Sequence, residues 1–134
     1  MSADWRLRRL EVLDNEQLQA MLTAEPRKAA QALVIAAGQG VVDAQALLGQ
    51  ILLDGRGIER DAALAVKWFA IAAHHGHPMA HNMLGRCHEH GWGCEANVER
   101  AAGHYLQAAQ AGLDWGLYNL ANLLGTGRGI GLDH

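Results

Sequence analysis

Net charge, cysteine and long apolar runs are all scarce in this chain, and each shortage excludes a class of protein. Of 134 residues, 11 are Lys or Arg and 14 are Asp or Glu, for a formal net charge of -3 with the two signs interspersed. That balance lacks the basic face through which nucleic-acid binders meet phosphate. The one basic run, from Arg6 to Arg9, is followed at once by Glu11, Asp14 and Glu16 and reads as a solvated helix face. No apolar run approaches the ~18 residues that a membrane-spanning helix needs. The segment Met1 to Arg6 lacks the charged, apolar and cleavage regions of a secretory signal, and two cysteines without such a signal imply reduced thiols in the cytoplasm. Half the residues are apolar and 19% charged, which excludes disorder, and the length suits one domain. There is no G-x-S-x-G or H-E-x-x-H, and the glycine-rich loops lack the Lys-Ser/Thr pair of a phosphate loop. No catalytic residue and no cofactor are therefore expected.

What the chain does contain is a repeat. Ala44-Gln45-Ala46-Leu47-Leu48-Gly49 lies over Ala80-His81-Asn82-Met83-Leu84-Gly85, and that over Gly116-Leu117-Tyr118-Asn119-Leu120-Ala121, each 36 residues on (44, 80, 116). The same shift carries Gly55-Arg56-Gly57-Ile58 to Gly91-Trp92-Gly93-Cys94 and to Gly127-Arg128-Gly129-Ile130. It also carries Asp61 to Asn97, Phe69 to Tyr105, Ala72-Ala73 to Ala108-Ala109, and Gly76 to Gly112. A fixed period of about 20–50 residues marks a solenoid array, whose long shared face suits binding before catalysis.

Each unit reads as two helices. The first, helix A, is expected over 43–53, 79–90 and 114–124. At roughly 100° per residue, Ala44, Leu48, Ile51 and Leu52 fall on one side, and Ala46, Gln50 and Leu53 on the other. In the second unit the inner set is Ala80, Leu84, Cys87 and His88, and the outer set Asn82, Arg86 and Glu89; in the third, Tyr118, Asn122 and Gly125 face outward. A mid-helix glycine costs about 1 kcal/mol against alanine, so the recurrence of Gly49 at Gly85 asks for a packing reason. Helix B starts at the N-caps Asp61 and Asn97 and closes at Gly76 and Gly112. Its Leu64, Ala65, Trp68, Phe69, Ala72 and Ala73 have the spacing of one buried face. Pro26 to Ala37 repeats that pattern earlier, with Asn15 to Thr23 as a degenerate partner. The units are thus an N-terminal helical cap at 1–42, repeats at 43–79 and 80–115, and a partial repeat with helix A alone at 116–134. Leu117, Leu120, Leu123 and Leu124 then lack a partner, so a homodimer through Leu117, Leu120 and Leu124 is one reading of that edge, and a fragment of a longer array the other.

Eight histidines raise a metal-binding reading, densest at Cys87-His88-Glu89-His90-Gly91-Trp92-Gly93-Cys94 with His74, His75, His77 and His81 nearby. Zinc takes such ligands, but Cys87 and Cys94 hold the places of Ile51 and Ile58 and read as small core hydrophobes. The spacing also lacks a paired-ligand form, so no metal site is assigned. His88 stands where the other units place leucine and requires a hydrogen-bond partner.

The A-x-x-x-L-G, G-x-G-hydrophobic, acid or amide cap, A-x-x-W-aromatic, A-A and closing glycine together resemble the Sel-one-like repeat of the tetratricopeptide superfamily, over about 43–133. Where that family usually carries tyrosine, this chain has Leu52, His88 and Leu124. The resemblance implies an all-α, right-handed α-solenoid that acts as a non-catalytic adaptor, often in bacterial signalling, envelope or secretion systems. It implies a protein or peptide partner on the concave helix A face, which would offer Gln50, Asn82, Arg86, Glu89, Tyr118 and Asn122. Trp92, between two loop glycines, joins them as an exposed aromatic. Trp92 and Arg86 lead that set, because aromatics and arginine are enriched at binding hot spots. The alternatives are a self-associating structural unit and, third, a metal-binding protein.

Overall fold

The computed structural model describes residues 15–126, and all the regular structure in them is helical: α1 (Asn15–Ala24), α2 (Pro26–Gly38), α3 (Val42–Asp54), α4 (Ala62–His74), α5 (Pro78–His90), α6 (Val98–Gln110) and α7 (Asp114–Thr126). Each helix packs chiefly on its neighbours in sequence, α1 on α2 through to α6 on α7, as in an α-solenoid. Trp5, Leu7 and Leu10 of the expected cap, and the third glycine loop with Asp133, lie outside the described residues.

The helix ends follow from local chemistry. Asp61 accepts the Leu64 N–H at 3.0 Å and Asn97 accepts that of Arg100 at 3.0 Å, each satisfying an orphan donor of a first turn. At the same register, Glu25 makes no such bond, and Pro26 in the first turn of α2 supplies the preset φ instead. Helix α5 is capped by a histidine: His77 Nδ1 accepts from Ala80 N–H at 3.2 Å while Nε2 lies 3.0 Å from Asp43 Oδ1. Because Nδ1 accepts, the proton sits on Nε2 and is donated to Asp43.

Two contacts repeat with the sequence, one within each hairpin and one between units. A Cβ on Gly49 would come within 2.6 Å of the Phe69 ring, and one on Gly85 within 2.5 Å of Tyr105 Cδ1. The mid-helix glycines are therefore sockets for the aromatic of the following helix B. Second, Gly57 and Gly93 have φ of +75° and +69°, and a Cβ on either would collide with a backbone carbonyl, that of Pro26 or of Ala62. Those carbonyls belong to the first turn of the preceding helix B, so the loop lies directly on that turn. Glycine meets both the backbone conformation and the close approach.

The core runs the length of the array. Phe69 and Tyr105 are almost fully buried, with Leu33, Leu48, Ile51, Leu52, Cys87 and Leu123. Helix B departs from its expected face: Leu64 is exposed and Trp68 only half-buried, so Phe69, Ala65, Ala72 and Ala73 carry the burial. Helix A departs the other way. Ala46, Leu53 and Asn82, expected on the outer side, are buried, because a helix A has neighbours in the units on both sides as well as in its own hairpin. Leu123, expected to lack a partner, packs with Tyr105 and Ala101, and Leu120 packs partly against the same cluster.

Candidate functional site

The burial of helix A on most sides leaves a narrow strip for a partner, and three of the residues expected on it come together. Gln50 and Asp54 of α3, Met83 and Arg86 of α5, Arg60 and Trp92 of the loops, and Leu53 line a groove of about 320 Å³. Trp92 is half-buried rather than exposed, because two side chains of α5 pack against its ring. The His90 ring lies 4.7 Å away, nearly parallel, and the Arg86 guanidinium carbon is 5.2 Å from the indole centroid. A guanidinium over indole gains from the ring's negative face. Arg86 also reaches the Met83 sulfur at 4.0 Å. Gln50 Nε2 donates to Asp54 Oδ2 at 3.0 Å, and Arg60 Nε donates to the Leu53 carbonyl at 2.9 Å. The groove therefore has a floor of Leu53 and Met83, an aromatic wall and an oriented set of charges.

The other expected contact residues are placed differently. Asn82 is 5% exposed and its Oδ1 accepts from Asn119 Nδ2 at 2.8 Å. It ties α5 to α7 and is out of a partner's reach. Glu89 Oε1 accepts the Tyr105 hydroxyl proton at 2.7 Å and is half-buried. Burial, then that bond to Glu89, pushes the Tyr105 phenol above its ordinary range. Tyr118 and Asn122 are exposed on α7, Tyr118 edge-on to Trp115. Asp54, Arg60 and Met83 are groove residues that sequence reasoning missed, while Leu53 was placed on the outer side without being named a contact. The aligned loops could have flagged Arg60, which precedes the Asp61 cap; nothing local marks Met83.

Both cysteines are free. Cys87 is fully buried, and burial followed by the neighbouring Cys94 pushes its thiol up to about 11. His88 finds partners in the Cys94 sulfur, 3.6 Å from Nδ1, and in the His104 ring, stacked at 5.6 Å and 3°. Among the described residues no group of three or more His, Cys, Asp or Glu is arranged around a metal position. No helix among them is long and apolar enough to cross a membrane.

Against this geometry the relatives are informative. The Sel1 repeat model matches residues 42–77, 78–113 and 116–134, and the chain belongs to that family. A Sel1 repeat protein from Oxalobacter formigenes superposes with a TM-score of 0.73 at 30% identity, over 80% of this chain and 44% of that one. The protective antigen c5321 of uropathogenic Escherichia coli, described as having an SLR fold, gives 0.76 at 21% identity over 98% and 30% of the two chains. Helicobacter pylori cysteine rich protein B gives 0.73 at 17% identity over 87% and 90%. At those last two identities the likeness is one of fold. The rat protein DAP3-binding cell death enhancer 1 is 34% identical over 93 residues, which are 69% of this chain and 18% of that relative. Proteins built on Sel1 repeats generally mediate protein–protein interaction.

Proposed function

We propose that this chain is a non-catalytic adaptor that grips a protein segment in the groove between α3 and α5, with Arg86 and Trp92 as its anchors. The observation that carries the reading is the indole of Trp92, packed against His90 and Arg86 at the wall of a groove floored by Leu53 and Met83. An aromatic fixed before binding loses little freedom on contact, and such residues dominate interface energies. Gln50 lines the same groove, while Tyr118 and Asn122 extend the exposed surface along α7. The rat relative, DAP3-binding cell death enhancer 1, is by its name a binder of another protein, which agrees with a role in holding a protein partner. Free thiols at Cys87 and Cys94 fit a reducing cytoplasm.

The test is a comparative capture with Trp92→Ala and Arg86→Glu. A partner retained by the native chain and lost from both variants, with their thermal melts unchanged, supports the groove. Equal retention by native chain and variants overturns it.

A second reading is self-association through α7, favoured by the exposure of Trp115, Leu117 and Tyr118, each near 60%. Leu117→Glu tests it, since Leu120 also serves the internal core. Light scattering that gives a monomer at high concentration for the native chain removes this reading.

A further inference from the structure

A second groove, lined by α4, α5 and α6, keeps the apolar Ala73 and Leu84 of its counterpart one unit earlier (Ala37 and Leu48) but differs from it in a polar set. Its lining includes His81, His88, Cys94, Arg100, His104 and Gln107, around about 850 Å³. Subtracting 36 gives Gln45, Leu52, Ile58, Leu64, Trp68 and Ile71 at the same register. The shared glycine sockets, caps and loop contacts show that the frame is the same in both units. The frame therefore does not demand the polar set, since the preceding unit is built with an almost wholly apolar one.

Within that set His81 Nδ1 and His104 Nδ1 stand 3.3 Å apart. Two nitrogens bound at about 2.0–2.1 Å to one tetrahedral zinc ion are separated by about 3.3–3.4 Å. Without metal, one of the two rings must donate a proton to the other; a cation accepted by both lone pairs replaces that shared proton.

We propose that His81 and His104 form a bidentate site for a divalent zinc-class ion, open on its remaining positions to the second groove. His88 and Cys94 border the site without converging on it. An ion with only two protein ligands exchanges readily and leaves room for a donor from water or from a bound molecule.

The test uses the full chain without an affinity tag, titrated with Zn²⁺ by calorimetry at neutral pH, with Co²⁺ absorption as the second readout. His81→Gln and His104→Trp install the residues that the preceding unit carries at these positions. Gln45 there donates to the Ala37 carbonyl at 3.2 Å. The native chain is expected to bind one ion, and each variant to bind it about 100-fold more weakly, the top of the range for losing a mere supporting group. His75→Ala, exposed and lining neither groove, leaves the affinity unchanged. The proposal is overturned if the native chain binds no ion stoichiometrically, or if either variant binds as the native chain does while keeping its helical spectrum.

Discussion

Replacing three mid-helix glycines by alanine, one at a time, separates helix propensity from packing. Alanine stabilises an exposed helix interior by about 1 kcal/mol over glycine. Gly103, in the middle of α6, has nothing within 4 Å of a built Cβ, so Gly103→Ala should gain that amount and raise the melting temperature by about 3–6 °C. At Gly49 the same methyl would lie 2.6 Å from Phe69 Cε1, against roughly 3.5–4.0 Å for an unstrained carbon contact. The ring must move by about 1 Å in a well-packed core, which costs about 1–3 kcal/mol and cancels or exceeds the propensity gain. At Gly85 the approach is closer and the ring is pinned, because the Tyr105 hydroxyl is held by Glu89 at 2.7 Å. Gly85→Ala should therefore be the worst of the three, with a net loss of about 2 kcal/mol. In a Tyr105→Leu background, where the ring is gone, the same substitution should become neutral or stabilising, a coupling of about 2 kcal/mol in a double-mutant cycle. Urea unfolding of the six proteins measures all of this. If all three alanines stabilise alike, the sockets do not exist as described.

Two further outcomes concern the core and its histidines. Phe69→Ala should cost about 3–5 kcal/mol. Trp68→Ala should cost only about 1–2 kcal/mol, since its ring is half-buried, and chemical denaturation ranks the pair. Stability should fall on acidification. The His104 pKa is lowered to about 4 from 6.5, and those of His81 and His88 are lowered too, by burial first in each case. The unfolded chain then takes up these protons first as pH drops. The stabilisation is complete above about pH 6.5 and is lost as pH falls toward about 4, by roughly 2 kcal/mol for His104 after allowing for solvent screening. Melting curves at pH 7.5 and 4.5 should converge more closely for His104→Trp than for the native chain; an equal drop in both contradicts this.

The repeat was legible because its signals are local or periodic. Asp61 and Asn97 announce caps, and glycine recurring at positions 49 and 85 announces a close approach, although the sequence does not say to what. The aromatic at 69 and 105 was visible, but its pairing with those glycines spans 20 residues (49 to 69, 85 to 105) and needs the folded hairpin. The outer face of helix A was misjudged at Ala46, Leu53 and Asn82 for one reason: angular arithmetic treats a helix as having one packed side, while an array places a like helix on either flank. Trp92 was read as exposed because glycines on both sides suggest a loop tip, and its clamp comes from Arg86 and His90, which reach it from the preceding helix. Trp68 was over-buried on paper since its spacing suits the same stripe as Phe69, yet it is half-buried, at the register of the groove residue His104.

The resting of Gly57 and Gly93 on the first turn of the helix behind them has a consequence for how such a chain diversifies. Pitch from unit to unit is fixed by main chain touching main chain, so side chains elsewhere are released from holding the spacing. A tryptophan can become a histidine and a leucine an arginine without altering the rise of the superhelix. Neighbouring grooves on one unchanging frame can thus be given unrelated chemistries.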